Sequence, residues 1–421
     1  MRTHTLSHIL TDQRGIALPM ALMILLILSA LMAAFLVLGA SEPTLAANQQ
    51  RVAQARAMAE SGLERAIWAL NNPDDASGIK GDKLGMLPNP TGPAPAPYDG
   101  SVFVPASLAG GTQLGGFRVT VTAGQPLCPG VNDRCIVADG WVPNDTAASR
   151  VKQRIQVTVT KIRFLDPPGS LAVRGDLDVG GKTLIDSTKD TSCGGKGGTW
   201  SKGTTTLSGS AEKVFGYADA DANTKVVYDP ATPETASGDV VTQVPDSAFD
   251  SFTYSPDELD SLKVIARAQG TYYQGTVEFN AANPVPNGLI FVDTVSGNNI
   301  TPATLSSDFA QLKISGNAAA AKDGIYKGWI FVNGSASIDG IFVMHGLLYV
   351  VNDLIYQGVG AGQIVGAVIS QNIRDTSYTS IDSDTGGNST IIYNCKYAKD
   401  GDNNVSQSFT IKLRTYKEVA G

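Results

Sequence analysis

Histidine is nearly absent from this chain. Its 421 residues include only His4, His8 and His345. With two of them in the first eight positions, little is left for an imidazole-based metal or catalytic site. Charge is sparse as well: Asp, Glu, Lys and Arg make up 17% of the residues, the net charge is −7, and no run of Lys and Arg occurs. Such a chain offers no surface that releases counterions from DNA or RNA, so a nucleic-acid partner is set aside. The GxSxG, P-loop and HExxH patterns are missing, and with them the common nucleophile, phosphate and zinc chemistries. No enzyme, catalytic residue or cofactor is expected. Cysteine is limited to Cys128, Cys135, Cys193 and Cys395, with no CxxC pair. An even set outside the cytoplasm reads by default as disulfides. Cys128 and Cys135 bracket a short PGVNDR loop and suit a local bridge. Cys193 and Cys395 can pair across a long loop, a connectivity that sequence leaves open.

What the chain does have is glycine, 45 residues of it, and one long apolar run. Ile16 to Ala40 carries no charge. As a helix it covers roughly 37 Å, enough to cross a bilayer core of about 30 Å. That is longer than the apolar core of a secretory signal, about 7–15 residues. Helical patterning continues beyond the run in SEPTLAANQQRVAQARAMAESGLERAIWALN, where Leu45, Val52, Ala59, Leu63, Ala66 and Leu70 share a face. One helix over 16–72 is therefore expected, membrane-spanning over 16–40 and amphipathic after it. Pro73 ends it, and Pro43 is expected to kink or locally melt it.

This architecture resembles the type IV pilin superfamily over residues 1 to about 72, and PilX-type minor pilins most closely. The segments that carry the likeness are RGIALPMALMILL and NQQRVAQARAMAESGLERA. The resemblance implies a cytoplasmic leader over 1–15, cut by a prepilin peptidase between Gly15 and Ile16. It also implies partners: other minor and major pilins and an inner-membrane assembly platform. The family's usual glutamate, five residues after the cut, neutralises a neighbouring subunit's terminal amine. Met20 stands there. A subunit lacking that carboxylate leaves the amine ahead of it unpaired in an apolar core, at a cost of several kcal/mol. It fits best at a filament tip. A lipid-facing Met20 in a chain that never enters a filament is the plainer alternative.

The rest of the chain reads as strand. Residues 73–100 form a Pro-rich linker. Residues 101–165 give alternating segments, FRVTVTA, CIVADGWVP and SRVKQRIQVTVTKIRF, expected as an antiparallel sheet packing on the helix and burying its Val52, Leu63 and Leu70. From 169 to 375, GLIFV, GWIFV, GLLYV and GAVIS begin at Gly288, Gly328, Gly346 and Gly366. The period predicts a parallel β-solenoid-like domain with insertions. QLKIS at 311 is placed as a skipped rung, LAVRGDLDVGG as an early rung, and SPDELDSLKVIARAQG as a helix. A β-sandwich is the rival arrangement. Residues 376–421 are expected to supply C-terminal strands or a cap. The fold class is thus α+β, mostly β.

Asp382 and Asp384 in DSDTGGN, and the ADADANTK segment, carry weak calcium-loop spacing without the full motif. His345 is expected as a satisfied core histidine. The functional expectation is a non-enzymatic minor pilin-like subunit that primes a type IV pilus-like filament or sits at its tip. It would be held in a bacterial inner membrane with its large domain in the periplasm, then displayed at the surface, where a polysaccharide or other surface ligand is a partner to test. The alternatives are a tip pseudopilin of type II secretion, a static membrane-anchored envelope protein, and a solenoid enzyme on polysaccharide. The last needs carboxylates clustered on one face, whereas Asp339 and Asp353 are the only acids in 328–370.

Overall fold

The computed structural model describes residues 17–72, 94, 96–107, 111, 113–124, 128, 133–209, 212–217, 221–231, 238–358, 360–374, 383–403, 405, 409–411 and 415–420. The chain divides into two compact units. One comprises Met1–Pro129, Arg134–Val157 and Tyr416–Gly421; the other comprises Gly130–Asp133 and Thr158–Thr415. The architecture is α+β and mostly strand.

In the first unit, helix α1 spans Ala17–Asn71 and runs through Pro43. The expected local melting is absent there. Downstream, α1 packs on an antiparallel sheet whose strands β1 (Val104–Ser107), β2 (Gln113–Thr122), β3 (Asp133–Val142) and β4 (Val151–Lys161) lie side by side in that order. The helix buries Ala55, Ala59, Leu63, Ala66, Ala69 and Leu70. On the sheet side Val119, Val121, Ile136, Ala138, Ile155 and Val157 are buried, following the alternation of the strand sequences. The approach is close because small residues meet: a Cβ on Gly140 would lie 2.1 Å from the Ala55 carbonyl oxygen. Each buried Leu contributes about 1.5–3 kcal/mol. The apolar stripe is shorter than expected. Val52 is 41% and Leu45 59% exposed.

The second unit is built on two parallel sheets between which the chain alternates. In the first sheet the stacking order is Tyr272–Gln274, Gly288–Asp293, Ile325–Val332, Val343–Val350, Gln363–Ser370, Gly169–Val173, Gly197–Ser201, Val240–Thr242 and Lys225–Val227. The second sheet runs Thr276–Phe279, Ala310–Ser315, Gly334–Gly340, Leu354–Gly358, Ser383–Gly387, Leu177–Val179 and Thr205–Leu207. Between them lies a core of Ile290, Ile330, Leu348 and Val368 against Leu312, Ile338 and Tyr356. GLIFV-type strands are buried on both faces, hence their unbroken apolar runs. Second-sheet strands such as AQLKIS alternate because one face is wet.

Three expectations change here. QLKIS is not a skipped rung of the GLIFV sheet; it pairs with Thr276–Phe279 and Gly334–Gly340 in the other. The early rung at 171 lies beside the last one, with Leu171 opposite Val368. The chain thus starts mid-stack, runs to one end, returns to the opposite end, and stacks back to its own beginning. The return passage carries helix Pro256–Gln269, with its Ser255–Glu258 capping box. It lays Phe249, Phe252, Tyr254, Leu262 and Ala266 over the outer face of the first sheet. Finally, the C-terminal segment does not form a simple two-stranded cap. Thr390–Tyr393 stacks in parallel on the start of Gln363–Ser370, Cys395–Asp400 is a helix, and Phe409–Ile411 and Lys417–Ala420 pair antiparallel with β4.

Candidate functional site

The feature with the clearest physical demand is α1. Its segment Leu18–Leu36 is long and apolar enough to cross a membrane, and none of it is buried. Leu22, Leu26, Phe35 and Leu36 are all more than 60% exposed, a state that needs an apolar surrounding rather than water. The first turn has no acid, and Met20 is 58% exposed. Gly15 and Ile16 lie outside the described residues. Where the run gives way to the packed half of α1, Leu45, Val52 and Ala53 line a groove of about 440 Å³ with Arg56, Gln153 and Glu418. Arg56 bridges Glu60 at 3.0 Å and Glu418 at 2.6 Å. One helix therefore presents a bare apolar half, an open amphipathic stretch and a buried stripe in succession.

The cysteines pair as Cys128 with Cys135 and Cys193 with Cys395, across separations of 7 and 202 residues. The second bridge anchors helix Cys395–Asp400. That helix is also held by Trp329 Nε1, which donates to the Ala398 carbonyl at 2.9 Å. Its C-cap, Gly401, sits against a bare spine: a Cβ there would lie 2.5 Å from the Gly328 Cα. His345 is not satisfied by hydrogen bonds as expected. Its ring stacks on Tyr397 at 4.3 Å, and Nδ1 is buried without a partner among the described residues. Burial pushes its pKa below the usual value, with Lys327 lowering it further and Asp402 and Asp323 opposing.

Asp382 lies outside the described residues. Asp384 stands on the outer face of the second sheet, accepting from Gln357 Nε2 at 3.0 Å. Its pKa is raised, by burial first and by neighbouring Asp178, with the Gln357 bond opposing. Among the described residues no group of three or more His, Cys, Asp or Glu is arranged to hold a metal ion. Reading the acids along the sequence missed one juxtaposition. Asp178 and Asp384, 206 positions apart in sequence, are opposite one another in register. Only the position of the early rung next to the last one reveals it.

No family model and no curated protein matches the chain. Among solved structures, the competence-associated pilin ComZ from Thermus thermophilus aligns over 88% of this chain and 98% of its own, at 9% identity and a TM-score of 0.26. A likeness at that score carries no argument.

Proposed function

We propose that the chain is a non-enzymatic, membrane-anchored minor pilin-like subunit, processed after Gly15, that primes a type IV pilus-like filament or occupies its tip. The observation that carries this reading is the continuity of α1. A helix that only anchors need not continue into an open amphipathic stretch. A subunit drawn from lipid into a filament must exchange lipid for neighbouring helices along that length, and the Leu45–Val52 groove lies where such a neighbour would sit. Met20, standing where the resembled family has glutamate, supports a position where no other subunit lies ahead. The same reading takes the two alternating parallel sheets of the second unit as a β-solenoid. That solenoid presents its polar second-sheet face and serves surface contact rather than catalysis.

Position is tested by labelling an epitope-tagged chain on sheared filaments. Label at one end per filament is expected, and Met20→Glu should spread it along the length. Label confined to the membrane fraction in both cases would count against assembly and favour a fixed anchor.

A further inference from the structure

The larger unit holds a cavity of about 580 Å³, within the roughly 300–1,000 Å³ that suits small ligands. Its walls carry the rings of Trp200, Tyr217, Tyr228 and Phe252, and beside them Asp166 and Lys196. Trp200 and Tyr228 meet edge to face at 5.5 Å. Lys196 Nζ lies 2.7 Å from Asp166 Oδ1, with the lysine side chain 8% and the aspartate 42% exposed. The Tyr393 hydroxyl donates to the same Oδ1 at 2.9 Å. This fixes the carboxylate, whose side chain stays part-exposed.

One donor is left over. Trp200 is 4% exposed, and its Nε1 has no hydrogen-bond partner among the described residues. Buried indole N–H groups nearly always find one. Gly197 packs closely against it: a Cβ there would come within 2.8 Å of that nitrogen.

These features select a ligand class. The cation and the anion are paired, so the cavity favours neither sign of charge. The part-exposed rings of Tyr217 and Tyr228 call for an apolar face. A fixed carboxylate and an ammonium call for hydroxyls on the same small body. A sugar ring combines an apolar C–H face with hydroxyls around its rim. A peptide side chain meeting the aromatic wall would leave the polar groups unmatched.

We propose that this cavity binds one pyranose unit of a neutral glycan. Its ring face would lie against the tyrosines and its hydroxyls on Asp166 and Lys196. The proposal deepens the surface-contact role proposed above and rests on it only for where the glycan is met. The test uses the purified full chain in detergent, titrated calorimetrically with cellotetraose, with chitotetraose and with a tyrosine-containing tripeptide. Saturable binding of at least one tetrasaccharide is expected, weakened about tenfold or more in Tyr228→Ala and in the conservative Asp166→Asn. Three results would overturn it: no tetrasaccharide binding up to on the order of 10 mM, binding that both variants leave unchanged, or binding of the tripeptide alone. Processing at Ile16 with no glycan binding would remove this assignment and leave the assembly reading standing. Glycan binding without processing would do the reverse.

Discussion

At the scale of single residues, the glycines of the repeat are the least replaceable. Gly288, Gly328, Gly346 and Gly366 lie opposite one another on successive strands. Gly346 has φ +159°, and a Cβ on it would lie 1.6 Å from the Gly328 carbonyl oxygen. Gly346→Ala is therefore expected to cost more than about 4 kcal/mol, read as a lost or strongly lowered cooperative melt. His345 gives a pH prediction whose sign follows from its depressed pKa. Above pH 6.5, its ordinary value, the ring is neutral folded or unfolded and costs nothing. As pH falls below that value the unfolded chain takes up the proton first, and stability is lost until the native ring titrates too. Tyr397, Asp402, Lys327 and Asp323 surround it. His345→Phe keeps the stack and removes the titration, so its thermal melt should fall less between pH 7 and pH 5 than that of the parent chain.

At the scale of elements, the return helix Pro256–Gln269 is fixed by one buried ion pair. Lys263 Nζ is 2.9 Å from Asp293 Oδ2, with the side chains 3% and 0% exposed. Asn333 Nδ2 and the Tyr272 hydroxyl also donate to that carboxylate. Removing one partner strands a buried charge, so Lys263→Met should destabilise the chain by about 3–5 kcal/mol, measured by denaturant unfolding. The helix itself was legible, because its cap and its Leu259, Leu262 and Ala266 face are local patterns. Lys263 was not, because a lysine in such a pattern reads as solvent-facing until its partner, 30 positions away, is brought to it. The same division holds for the strands. Their positions followed from alternation and from the GLIFV-type repeat. Their order in the stack did not, since the contact of Leu171 with Val368 is decided by which rung ends remain open, and no local signal records that.

At the scale of the whole molecule, α1 and the β-rich second unit make opposite demands. Leu18–Leu36 requires an apolar surrounding, and the second unit requires water on its polar second-sheet face. A membrane anchor satisfies both; a pilin-like subunit satisfies both and also gives the open Leu45–Val52 stretch a use. Sequence showed the apolar run and the helix exit clearly, because length and period are enough to define them. It showed the candidate glycan cavity not at all, because Asp166, Lys196, Trp200, Tyr228 and Phe252 come from connecting segments, one strand and the return passage. The measurement that most directly separates an assembling subunit from a fixed anchor is the mature N-terminus in membranes from cells with and without an active prepilin peptidase. The expected result is a chain starting at Ile16 when the peptidase is active and at Met1 when it is not. A start at Met1 in both would contradict the pilin-like reading and leave a static, membrane-tethered β protein.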